Sequence, residues 1–119
     1  MKRIGVFFAT LFLMFQSSAY VHAAPRTIAQ NVQVTDNGIS PERITVNQND
    51  VIKITVVNKG TKRHNLVIPN YYIFTENLNP GGTSTAQFTA NNRGNFLYYS
   101  DTPKRGTPEP GTEGVLIVN

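Results

Sequence analysis

The 119-residue chain has no cysteine and no tryptophan, and only two methionines and two histidines. Without cysteine there is no disulfide framework, no thiolate nucleophile, no thiolate zinc site and no cysteine-ligated iron–sulfur cluster. Charged residues make up only 15% of the chain. With plentiful β-branched and aromatic residues beside them, this is not the composition of a disordered, self-repelling tail. The length suits one domain and excludes a multidomain enzyme. A phosphate-cradling loop, a Gly-x-Ser-x-Gly elbow and suitably spaced paired carboxylates are all missing.

What is present begins with Met1-Lys2-Arg3, an apolar run from Ile4 to Phe15, and a small-residue exit ending Ala19-Tyr20-Val21-His22-Ala23. Two cations, a short apolar run and small residues form the pattern of a secretory signal peptide. The run is shorter than the roughly 20 apolar residues a membrane-spanning helix needs, so cleavage is the reading preferred over an uncleaved anchor. Val21-x-Ala23 places the cut before Ala24, and Ser17-x-Ala19 places one before Tyr20. The expected organisation is a signal peptide over residues 1–23 and a single domain over 24–119, periplasmic or secreted, with no transmembrane segment in the mature chain.

Removing 23 residues leaves 96, without Met1, Met14 and His22. Nine cations then face seven anions, because Lys2 and Arg3 leave from the eleven. That near balance gives no dense basic stripe for phosphate, so nucleic-acid binding is not expected. The mature chain keeps a single histidine, His64, and no sulfur. A cut before Tyr20 would instead begin the chain Tyr20-Val21-His22, whose free amine and third-position imidazole can bind Cu(II) through nitrogen.

Short alternating runs recur between turn clusters. Val32 and Val34 precede the turn Asn37-Gly38, and Ile44 and Val46 precede Asn47-Gln48-Asn49-Asp50. Ile52, Ile54 and Val56 line one face of a longer strand closed by Asn58-Lys59-Gly60. His64 to Ile68 is an apolar run ended by Pro69, and Tyr71 to Phe74 is a weaker strand candidate. Pro80-Gly81-Gly82 turns the chain into Thr83–Thr89, where Ala86 and Phe88 share a face. Phe96 and Tyr98 alternate with Leu97 and Tyr99, and Val115 to Val118 forms a terminal strand. Strands at this spacing predict an all-β sandwich or small barrel. Between the last two strands, 101–114 carries three prolines and three glycines. It is read as a long, partly stiff loop, because proline cannot supply ladder donors.

Several of these segments together resemble a cupredoxin. Ile39-Ser40-Pro41 with Ile44-x-Val46 resembles the start of the family's second strand, and Asn49-Asp50-Val51-Ile52-x-Ile54 its Gly-Asp-x-Val step. Asn58 followed by His64-Asn65-Leu66 resembles the loop carrying the first copper-binding histidine. Gly94-x-Phe96-x-Tyr98-Tyr99 resembles the strand that delivers the copper-binding cysteine, and Gly114-x-Leu116-x-Val118 the closing strand. The resemblance implies a Greek-key β-sandwich and is similar to the cupredoxin-like domains of periplasmic iron-uptake proteins.

Of the family's ligands (two histidines, a cysteine and an axial methionine), the resemblance retains only His64. Ser100 stands at the cysteine position, Arg105 near the second histidine and Thr112 near the methionine. The implied function is a non-redox binding or accessory module with a degenerate copper site, no cofactor and no enzymatic activity. The alternatives are a copper-binding, plastocyanin-like electron carrier, or a loose metal-delivery accessory. The latter would hold Cu(II) or iron through His64 with Asp101 or Glu113. Most uses of His64 reduce to a structural hydrogen-bond position. Lys59, Lys62, Arg63, Lys104 and Arg105 would gather at one end of the sandwich, facing Asp101, Glu109 and Glu113; they form either an ordinary solvated loop surface or a docking face for an acidic protein partner or membrane headgroups. Tyr71, Tyr72 and Phe74 are assigned mainly to the core.

Overall fold

The computed structural model describes residues 24–119. The expected signal peptide and both cleavage sites lie outside the described residues. The described residues form nine strands: β1 (Thr27–Thr35), β2 (Gly38–Ser40), β3 (Arg43–Val46), β4 (Val51–Asn58), β5 (Val67–Ile68), β6 (Ile73–Phe74), β7 (Thr83–Thr89), β8 (Gly94–Tyr98) and β9 (Gly114–Val118). One sheet runs β2-β1-β4-β7 and the other β3-β9-β8, with β5 and β6 paired beside it. A bridge between Val67 and Tyr99 joins β5 to the end of β8.

Alternation sets which residues enter the space between the sheets. In β4, Ile52, Ile54, Val56 and Asn58 are buried, while Lys53 is exposed. In β9, Gly114, Leu116 and Val118 are buried. Val32 and Val34 of β1, Ile44 and Val46 of β3, and Tyr98 of β8 complete the inner faces. A fully buried aliphatic side chain of this size contributes about 1.5–3 kcal/mol, so the two inner faces supply the stability that a disulfide would otherwise add. β1 runs parallel to β4, and β3 parallel to β9. The chain crosses from the first sheet to the second through Pro41, whose carbonyl accepts the Tyr98 hydroxyl.

Two expectations are corrected. The weak strand over Tyr71–Phe74 is one 3-10 turn, Pro69–Tyr71, followed by the two residues of β6. Proline opens that turn, and Tyr72 ends it with a positive φ of 56°, which β structure does not accommodate. Of Tyr71, Tyr72 and Phe74, at least two of which were expected in the core, only Tyr71 packs there, its ring centre 4.7 Å from that of Phe88. Tyr72 is 85% exposed and Phe74 63% exposed.

Candidate functional site

Buried polar groups mark one end of the sandwich. Asn58, His64, Asn65, Ser100, Asp101 and Thr112 are all buried there. The remaining buried polar residue of the described set, Asp50, pairs with Arg26 at 2.9 Å. Buried polar atoms need partners, and the partners define the site.

Asn58 closes β4 and folds the next loop. Its side-chain amide donates to the carbonyls of Lys62 and Leu78, each at 2.8 Å, and its Oδ1 accepts the Gly60 amide. The turn after β1 docks on the same loop through Asp36. That carboxylate accepts the Thr61 hydroxyl at 2.6 Å and the Thr61 and Lys62 amides. The Thr61 hydroxyl first, then the His64 ring and these amides, hold the Asp36 carboxyl well below the usual carboxylate range.

His64 has no exposed surface. Its Nε2 lies 2.9 Å from Asp36 Oδ1, and its Nδ1 lies 3.0 Å from Glu109 Oε1. The ring therefore bridges two carboxylates. It donates to both only with a proton on each nitrogen, since ionised carboxylates bring none.

Below His64, Ser100 and Asn65 hold each other. The Ser100 hydroxyl accepts the Asn65 amide and donates to Asn65 Oδ1, both at 3.2 Å. Asn65 Nδ2 donates to Asp101 Oδ1 at 2.7 Å, and the Asp101 amide returns to Asn65 Oδ1 at 2.9 Å. Asp101 Oδ2 accepts the Gly106 amide. Thr112 donates its hydroxyl to the Glu109 carbonyl at 2.8 Å and accepts the Ser100 amide. Asp101, Thr102, Glu109 and Thr112 thus tie the long loop to what precedes it.

The sequence placed Arg105 near the second ligand position and paired His64 with Asp101 or Glu113. In the structure the group facing His64 Nδ1 is Glu109, while Arg105 is exposed. Asp101 is committed to Asn65 and Gly106, and Glu113 is exposed. Ser100 bonds to Asn65 rather than to His64, and no nucleophile–base pair forms between them. Asp36 was missed as a site residue, and Glu109 was expected only among the anions facing the basic loops. The only sequence signal for Glu109 was its position between Pro108 and Pro110, which stiffen the backbone around it.

Two clefts of about 700 Å³ and about 710 Å³ open at this end. One is lined by Lys62, Arg63, Pro103, Asp36 and Glu109, the other by Phe74, Tyr99, Asp101 and Arg105. The loops carrying Lys59, Lys62, Arg63, Lys104 and Arg105 therefore meet, and all five cations are exposed. A hollow of about 430 Å³ over Arg43, Leu97 and Val115 lies on the outer face of the second sheet, away from these groups. Among the described residues no group of three or more His, Cys, Asp or Glu side chains is arranged to hold a metal ion, and no helix is long and apolar enough to cross a membrane.

Comparison with solved structures finds the same fold at low identity. Dithionite-reduced auracyanin from the photosynthetic bacterium Roseiflexus castenholzii is 21% identical, with a TM-score of 0.66, covering 79% of this chain and 98% of that one. Auracyanin B is 20% identical, with a TM-score of 0.68, covering 83% and 93%. The blue copper oxidase of Nitrosomonas europaea is 18% identical with a TM-score of 0.66, covering 79% of this chain and only 39% of that longer one. No curated protein matches the chain. A family model for the cupredoxin-like domain matches residues 5–118. The chain belongs to the cupredoxin-like domain family.

Proposed function

We propose that this chain is an exported binding module, neither redox-active nor catalytic, in which hydrogen bonds have replaced the copper site of its family. The amino-terminal cations and short apolar run support export, with 24–119 as the working domain. A blue-copper centre needs two imidazoles and a thiolate with a weak axial ligand. At the matching positions this chain offers His64, Ser100 and Thr112, and the thiolate is missing because the chain has no cysteine. A serine hydroxyl is a neutral, hard oxygen and does not stabilise Cu(I). The donors present do not fit the group.

The observation that carries this reading is the occupation of both His64 ring nitrogens by Asp36 and Glu109. A metal ion would have to displace a carboxylate to reach either one. The five exposed cations on the two adjoining loops support an acidic protein as partner, attracted by these side chains across clefts that also hold Asp36, Glu109 and Asp101.

Copper titration followed by calorimetry, with elemental analysis of protein from its native host, tests the reading. No stoichiometric tight copper and no reversible couple are expected. Tight copper with a reversible couple would make the chain an electron carrier. Weak Cu(II) binding that disappears in His64→Ala would make it a metal-delivery accessory.

A further inference from the structure

β7 is an edge strand of unusual composition. Its seven residues, Thr83 to Thr89, read Thr-Ser-Thr-Ala-Gln-Phe-Thr, with no charge and no proline. Natural edge strands are normally short, charged, bulged or covered, because an open edge invites pairing. Here β2, β3 and β6 are four residues or shorter, and β8 continues into the Tyr99–Val67 bridge. β7 has none of these protections and, among the described residues, pairs only with β4.

The backbone groups on its free side can be named. Ala90 N–H donates to Asp50, and Asn58 N–H donates to Gly82, both in the β4–β7 register. Bonded pairs alternate along an antiparallel ladder, so Ser84, Ala86 and Phe88 bond to β4. The backbones of Thr83, Thr85 and Gln87 face away from it. Among the described residues they have no other strand beside them.

A second observation falls at the same place. Tyr72 and Phe74, the two most exposed large hydrophobic residues described, share a hollow of about 280 Å³ with Ser84, Thr85 and Ala86. Glu76 is the one charged residue lining it.

We infer that β7 is the interface through which two copies of this chain pair antiparallel about a twofold axis at Ala86. The strand is self-complementary in that register. Thr83 opposes Thr89 and Thr85 opposes Gln87 on the outer face, as uncharged hydrogen-bonding pairs. Two small Ala86 side chains meet at the axis, where a non-hydrogen-bonded pair brings Cβ atoms closest. The two four-stranded sheets become one of eight strands, and Tyr72 and Phe74 flank the junction. This inference is independent of what became of the copper site.

Sedimentation of the purified protein over a concentration series tests it. Wild type is expected to show a concentration-dependent dimer. Thr85→Lys with Gln87→Lys sets like charges opposite each other twice across the axis and should weaken the dimer by about tenfold or more. Thr85→Glu with Gln87→Lys sets opposite charges there and should keep it. Both variants carry Gln87→Lys beside Lys53, so that cost is common to the two. Amide exchange at Thr85 and Gln87 should slow as concentration rises. A wild type that stays monomeric to about 1 mM, or two variants that weaken the dimer equally, would overturn the inference.

Discussion

Gly60 packs directly against the His64 ring: a Cβ built on it would lie 2.9 Å from Nε2 and would also collide with Asp36 Oδ1. The carboxylate and the imidazole approach each other over a residue that has no side chain. Gly60→Ala must therefore separate Asp36 from His64 or move the loop. A loss of about 1–3 kcal/mol is expected, read as a lower denaturation midpoint in urea, with faster amide exchange at Thr61 and Lys62.

His64→Ala removes the bridge between the two carboxylates and leaves a cavity in a fully buried position. Both carboxylates retain some solvent contact, at 27% and 14% exposure, which discounts the penalty of leaving them unpaired. A destabilisation of about 2–3 kcal/mol is expected, measured by urea unfolding at neutral pH. A change below about 0.5 kcal/mol would show that the bridge contributes little.

Acid sensitivity follows from Asp36. Its carboxyl is held low in the folded protein, chiefly by the Thr61 hydroxyl and the His64 ring. The unfolded chain binds that proton more readily, so the contribution is present above the unfolded value of 3.8 and is lost as pH falls through the depressed folded one. Thermal melts from about pH 7 to about pH 2 should show a decline below about pH 4. In Asp36→Asn this part of the decline should disappear while the neutral-pH melt is lowered.

Ser100→Cys puts a thiol where the resemblance expects the family's cysteine but leaves Glu109 on His64 Nδ1. Addition of Cu(II) should give no intense blue band, because one thiolate and one engaged imidazole do not complete the trigonal set. Optical titration decides it. A strong blue band in this single variant would mean that His64 is free to turn to a metal.

Tyr98 anchors the second sheet to the crossover. Its hydroxyl donates to the Pro41 carbonyl, and burial, followed by the charge of Glu42, pushes the phenol above its ordinary value. Tyr98→Phe leaves the carbonyl without this donor and should cost about 1 kcal/mol in chemical denaturation.

The strands were legible because their cause is local. Ile52, Ile54 and Val56, or Phe96 and Tyr98, announce an inner face by alternation alone, and Pro80-Gly81-Gly82 announces a turn. The weak element at Tyr71–Phe74 was misread because two adjacent tyrosines look like strand or core. The φ of Tyr72 and the exposure of Tyr72 and Phe74 depend on how the chain crosses between sheets.

The sequence by itself determined that no thiolate can stand in this site and that residues 24–119 hold a single histidine, since both are matters of inventory. It also determined the sheet faces, because side-chain period is a property of each strand. Only the tertiary structure decided what His64 touches. Asp36 lies 28 residues before it and Glu109 45 residues after it, on separate loops that meet when the two sheets close. No periodic pattern in the loop marks that Glu109 rather than Arg105 faces the ring. The choice was made by packing across the sandwich, where a buried imidazole must find partners for both nitrogens.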